Sequence, residues 1–447
     1  MKLQFDRTAL EELADRIIKR TLAMDLTWDW PCGVAFYGVS RAYAATGRQE
    51  YIDALAKWVD EYMGLGLPGF SVNACAMGHA LLALYAASGD ARYKSVIDEK
   101  LDYLQNRALR FGDRVLQHTV SARNDFPEQC WADTLFMAAY FMLRAGAEFG
   151  DAGLVADALH QYDWHIRYLH DRATGLWFHG YDNIRRDHMS GFHWARANAW
   201  AAYTMSRVKS VLPEPYLYPA YMSIDCSLRD LLAAARRLQM DDGLWHTLLD
   251  DPESYGEASA SAGLAAAMLC NGNPLHAGNA QRALDGIIAC VAPDGQVTRV
   301  SGGTAVMRDR EGYRSIPADW AQGWGQGLAL ALLARALEDG AQDGAKPGAQ
   351  DGAEPGAEDG AKPGAQGGSA QDGAKSAAQD GEKPGARAAG KGRAAAGERD
   401  KAGAGETKAA GAKAGETKAR GAKARGAKAA GAEAESAAGA AGKGGRA

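Results

Sequence analysis

Up to about residue 337 the apolar positions recur with the helical period of 3.6, and the helical stretches are of two alternating kinds. One kind is small and apolar on every side: residues 33–45, 74–87, 131–145, 194–208, 258–270 and 320–337. The other is charged on one face and apolar on the other: residues 10–22, 50–63, 93–106, 152–170, 222–238 and 277–290. A helix apolar all round must be buried on all sides, whereas an amphipathic one borders water. Six of each, in strict alternation, predict an inner ring of six helices wrapped by an outer six, the all-α (α/α)6 toroid. Turns such as Ala45-Thr46-Gly47-Arg48 and Ala87-Ser88-Gly89-Asp90 fit, with Gly as a left-handed C-cap and Asp as the next N-cap. The strand pattern that a parallel-sheet barrel requires is missing. An α-solenoid also repeats helix pairs but normally keeps one period, and here the inner helices start at irregular intervals.

Composition divides the 447 residues into two regions. All 11 Trp and all 17 Tyr lie within residues 1–337, enough for one large domain with a sizeable core. Residues 338–447 contain no Leu, Ile, Val, Met, Phe, Tyr, Trp, Cys or His, and such a segment cannot bury enough apolar surface to offset its conformational entropy, so a disordered tail is expected. Its first half is acidic with interspersed Lys, and after about Arg387 mostly Lys and Arg stand among Ala and Gly. A basic end of this kind offers salt-sensitive contacts to anionic surfaces, but a solvated extension without a nucleic-acid partner is the simpler reading. The N-terminal residues lack the apolar run of a secretory signal, and no window resembles a membrane span, so a cytoplasmic protein is expected. Six scattered cysteines without ligand spacing read as buried thiols in a reducing compartment.

Polar and aromatic residues gather at the starts of the inner helices: Trp28-Asp29-Trp30, Asn73, Trp131-Ala132-Asp133, residues 177–182, His193-Trp194-Ala195-Arg196 and Gln322-Gly323-Trp324. A toroid brings these segments to one mouth. Rings that stack on sugar faces, beside carboxylates and amides that bond hydroxyls, suit an oligosaccharide, although each Trp alone could be core. Asp133 is the foremost candidate for chemistry. At a helix start it reads either as an ionised N-cap or, in an apolar Trp-lined cavity, as a carboxyl tending toward the protonated form of a general acid. His179 taken alone reads as a buried imidazole bonded to a neighbour.

Residues 131–137 (Trp-Ala-Asp-Thr-Leu-Phe-Met), 177–182 (Trp-Phe-His-Gly-Tyr-Asp) and 194–200 (Trp-Ala-Arg-Ala-Asn-Ala-Trp) together resemble the signature set of the unsaturated glucuronyl and rhamnogalacturonyl hydrolases, glycoside hydrolase families 88 and 105. The resemblance also takes in residues 28–30, 243–246, 257–261 and 324–327. It implies an (α/α)6 hydrolase acting on sugars whose non-reducing end is a 4,5-unsaturated uronic acid. By resemblance Asp133 protonates C4 and assists water at C5, with no second carboxylate required. Arg196, His179 and Trp200 then become substrate contacts and Trp30 a stacking platform, the Arg holding the uronate carboxylate. Where many relatives carry a second Asp this chain has Asn73, which can bond a hydroxyl or water but cannot ionise, and family 105 is favoured.

No P-loop, Rossmann glycine pattern, HExxH or GxSxG is present, so no cofactor, metal or serine nucleophile is expected. Two rival functions are a sugar epimerase of the N-acetylglucosamine 2-epimerase kind, which would need a pair of catalytic His, and an inactive carbohydrate-binding toroid. The sequence leaves the sugar on the leaving side and the oligomeric state open.

Overall fold

The computed structural model describes residues 3–123 and 126–344. The expected tail lies outside the described residues from 345 onward. The inner helices are α2 (Trp30–Thr46), α4 (Gly78–Ser88, entered through a 3-10 turn at Asn73–Met77), α6 (Tyr140–Phe149), α8 (Ala195–Val211), α10 (Ala258–Asn271) and α13 (Gly323–Gly344). The outer helices are α1 (Arg7–Leu22), α3 (Gln49–Leu65), α5 (Ala91–Asp102), α7 (Ala152–Leu169), α9 (Pro219–Arg237) and α11 (Ala277–Ala289), and a short α12 spans Arg310–Arg314. Each inner helix touches the next around the circuit, α13 returns onto α2, and an outer helix packs on each inner one. This is the (α/α)6 toroid.

The turns carry the expected chemistry. Gly47 and Gly89 end α2 and α4 with φ of 68°, a conformation open to Gly at little cost, and the Asp90 side chain accepts from Arg92 N at 2.8 Å to start α5. Closure between α13 and α2 depends on absent side chains. A Cβ on Gly327 would strike the Val34 carbonyl, and one on Gly38 would strike the Gly327 backbone.

Three boundaries differ from the sequence reading. Trp131 belongs not to a helix but to a short strand, β3 (Gln129–Trp131). The last inner helix begins at Gly323, leaving Trp320 outside it and half exposed. It also runs past 337 to Gly344, because Glu338 pairs with Arg41 and with Arg335, and Arg335 also pairs with Asp339. Among the described residues the strands form three two-stranded antiparallel sheets: β1 (Arg110–Phe111) with β2 (Val115–Leu116), β3 with β4 (Gly180–Asp182), and β5 (Trp245–His246) with β6 (Gly256–Glu257). All six cysteines are free; Cys226 is exposed and Cys270 partly so, unlike the buried positions expected. No helix among the described residues is long and apolar enough to cross a membrane.

Candidate active site

The pairing of β3 with β4 builds the centre of the site. Trp131 lies opposite Gly180, where a Cβ would press on Met189, Val306 and the Trp131 ring itself, so the glycine makes room for the indole. Ala132 N donates to His179 O at 3.0 Å, which sets the His179 backbone beside the residue preceding Asp133. The chain then turns helical at Asp133, passes through a π-helical turn at Leu135–Ala139 and continues as α6. π-helical turns within α-helices are frequent at functional sites.

Asp133 Oδ2 stands 3.4 Å from His179 Nε2, and the Asp133 side chain retains 14% exposure while that of His179 has none. Neither atom has a hydrogen-bond partner within normal limits. Burial pushes the Asp133 carboxyl up, but His179, with smaller contributions from His118 and Arg196, more than offsets it and holds the group below its ordinary range. The expectation of a carboxyl tending toward protonation is therefore corrected: the apolar wall is there, but imidazoles and a guanidinium face the oxygens. Burial also lowers His179, against the opposing pull of Asp133. The resting pair at neutral pH is a carboxylate beside a neutral imidazole. His118 is pushed down to about 4, chiefly by burial, and bonds Thr134 Oγ1 through Nδ1 at 3.1 Å.

An unbroken string of ring and cation contacts lines the mouth. Trp30 stacks on Trp324 at 4.5 Å, and Arg196 lies between Trp324 (5.2 Å) and Trp194 (4.5 Å). Trp194 meets His179 at 4.2 Å, His179 meets Trp131 at 5.3 Å, and Trp131 stacks on His118 at 4.3 Å. Such contacts contribute about 0.5–2 kcal/mol each when shielded from water and hold the rings against one another.

Asn73 is buried, its N–H donates to Thr119 O at 3.1 Å, and its side-chain oxygen has no partner. A cavity of about 410 Å³ opens beside the site rather than over Asp133, with Ser71 and Ala74 on either side of Asn73, and Val120 after His118, in its wall. Asp29 also lines it; burial raises that carboxyl, while its Oδ1 caps α2 by accepting from Trp30 N at 2.7 Å. Trp200 is fully buried against Phe136 at 4.9 Å, with its indole N–H unpartnered.

Arg196 occupies a different environment from an open carboxylate grip. Its Nη1 donates to Ser301 Oγ (2.6 Å) and Ser301 O (3.1 Å) and faces Glu257 Oε1 at 3.4 Å, while Nη2 donates to Gly302 O at 2.7 Å. Glu257 is itself saturated by Ser259 Oγ, Ala260 N and Ser301 N. Arg196 thus clamps the loop after residue 300 and adds a fixed positive charge behind Asp133. Asp182 steadies a turn, accepting from Ile184 N and Arg185 N at 2.9 Å. Two members of the cluster were not foreseen, His118 and Tyr313; the Tyr313 hydroxyl lies 3.0 Å from His179 Nδ1.

Comparison with known proteins identifies the family. The chain is 48% identical over 338 residues, 75% of its own length and 97% of the relative's, to the unsaturated rhamnogalacturonyl hydrolase YesR of Bacillus subtilis. It superposes with a TM-score of 0.72 on a possible member of the GH105 family from Salmonella enterica, at 27% identity over 76% of this chain and 96% of that one. The unsaturated glucuronyl hydrolase of Bacillus sp. GL1 shares the fold at a TM-score of 0.56 and 17% identity, over 72% of this chain and 94% of that one. The profile of Glycosyl Hydrolase Family 88 matches residues 5–338, and the chain belongs to that family.

Proposed function

We propose that this glycosidase releases a 4,5-unsaturated uronic acid from the non-reducing end of lyase-generated oligosaccharides of the rhamnogalacturonan type. One observation carries the reading: among the carboxylates placed here Asp133 faces an imidazole across 3.4 Å, whereas Asp29 caps α2 through Trp30 N and Glu257 is tied to Arg196. Asp133 has a free oxygen, whereas Glu257 is consumed by Arg196, two serines and backbone amides. Direct displacement at an anomeric carbon calls for two working carboxylates, whereas hydration of a vinyl ether calls for one. The similarity to YesR, named for unsaturated rhamnogalacturonyl substrates, supports the same substrate class here.

In this mechanism an incoming uronate brings a second negative charge near Asp133, raises its carboxyl and favours the protonated form. Asp133 passes its proton to C4 as the C4=C5 electrons form the new C–H bond, leaving a cation at C5 shared with the ring oxygen. Water adds at C5 and returns a proton to Asp133. The C5 hemiketal opens to a ketone, and the hemiacetal left at C1 breaks to an aldehyde and the freed sugar hydroxyl. His179 steadies Asp133, Asn73 presents its free oxygen to a hydroxyl or water, Trp30 on Trp324 stacks on the sugar, Trp200 backs the site from the core with an indole N–H left for a substrate hydroxyl once the site adjusts around it, and Arg196 supplies positive potential while holding its loop. The cavity beside Asn73 accommodates the leaving sugar. The test is product analysis with paired disaccharides, unsaturated and hydrogenated: cleavage of the unsaturated member alone is expected, and equal cleavage of both would overturn the hydration mechanism. A cytoplasmic site of action fits substrates this small.

A further inference from the structure

The loop between Ser301 and Pro317 is tied down at several points. Gly302 N donates to Pro317 O at 2.9 Å, joining its ends, and Arg196 holds Gly302 O. On the far side Arg314 grips Asp251 through two bonds of 2.6 and 2.7 Å, and Tyr255 OH donates to Ile316 O at 3.0 Å. Inside, Asp309 caps α12 by accepting from Gly312 N at 2.8 Å. This anchoring delivers one side chain to the site, Tyr313, fully buried with its hydroxyl 3.0 Å from Nδ1 of His179. The other nitrogen of that ring faces Asp133.

We propose that Tyr313 is a positioning residue: its hydroxyl donates to Nδ1 of His179, fixes the imidazole proton on Nε2 and so aims that proton at Asp133. The proposal rests on the reading of Asp133 as the acid. Two observations set the direction of the bond. With the proton on Nδ1 instead, a bare Nε2 lone pair would face the Asp133 carboxylate, an unfavourable pairing. The Tyr313 oxygen also has another neighbour: Ser190 Oγ lies at 3.5 Å, a hydroxyl able to donate into it. With Ser190 donating into the oxygen, the Tyr313 hydroxyl hydrogen is left for Nδ1. The titratable and charged groups facing the ring are Asp133, Arg196 and Tyr313, with His118, across the Trp131 ring, close enough to interact electrostatically with it.

The test combines nitrogen NMR of 15N-histidine-labelled protein, the His179 signals assigned by their loss in His179→Gln, with kinetics of Tyr313→Phe. The unmutated protein is expected to hold neutral His179 in the Nε2–H tautomer, and Tyr313→Phe to mix tautomers. Loss of the aimed proton lets the Asp133 carboxyl rise, so the falling limb of the kcat profile moves to higher pH, with kcat lower by about tenfold and KM within about twofold. A merely structural role would lower activity at every pH without moving the limb. An Nδ1–H tautomer in the unmutated protein, or a variant with unchanged tautomer and unchanged profile, overturns the proposal. The tautomer needs no substrate, so it decides even if no unsaturated disaccharide is cleaved.

Discussion

Arg196 is a side chain whose type was legible and whose partners were not. Its place in the Trp-Ala-Arg segment marked it as a site residue, but no spacing indicates that Ser301, Gly302 and Glu257 would meet it from more than sixty residues away. A buried guanidinium paired with a buried carboxylate is costly to break from one side. Arg196→Met should therefore destabilise the protein by about 3–5 kcal/mol in urea unfolding, since Glu257 would be left uncompensated. A change below about 1 kcal/mol would show that the clamp contributes little. Asp133 was legible through its motif, while its acidity was not, because that depends on His179, His118 and Arg196 arriving from three other segments. Tyr313 and His118 were missed for the same reason: neither sits in a recognisable motif, and each reaches the site through pairings such as His118 N with Gln129 O.

At the scale of elements the two helix classes were readable because burial on all sides and burial on one side leave different patterns along the chain. The short strands were not, since two or three residues carry no period; β3 and β4 announce themselves only through Gly180, which the Trp131 ring requires. The approach of α13 to α2 likewise rests on hydrogen-only side chains. Gly327→Ala should cost at least about 3 kcal/mol or prevent folding, judged by circular dichroism and thermal melting, and a variant as stable as the parent would contradict the packing described. Buried histidines add a pH dependence. His165 on α7, bonded through Nδ1 to Gln161 O at 2.7 Å, is pushed down to about 4 by burial, so the unfolded chain binds its proton first. Its contribution is constant above the ordinary histidine range and is lost as pH falls from about 6.5 toward 4, at up to about 1.4 kcal/mol per pH unit for each proton. His165→Gln should flatten the acid side of the Tm profile; an unchanged slope would exclude His165 as a source.

At the scale of the molecule, closure joins the two ends of the ring. Arg7 Nη1 donates to Leu337 O at 3.1 Å, Gln326 Nε2 reaches the α1 backbone at Ile17 O at 3.3 Å, and Arg41 pairs with Glu338. The ring is thus complete within residues 3–344, a little beyond the boundary read from composition, because the helix persists through its own ion pairs after the apolar residues stop. A chain ending at residue 344 should keep the melting temperature and activity of the full chain, whereas one ending at residue 322 should not fold; equal loss in both would place essential contacts in residues 345–447. The proposed hydration of an unsaturated uronide turns on Asp133. Its most direct test is the rate at which ultraviolet vinyl-ether absorbance disappears when the protein meets unsaturated rhamnogalacturonan disaccharides, compared with Asp133→Asn. Steady loss with the parent and a rate at least about a hundredfold lower with the variant is predicted; comparable decay in both would remove Asp133 from the mechanism, and no decay with the parent across a panel of unsaturated disaccharides would contradict the function itself.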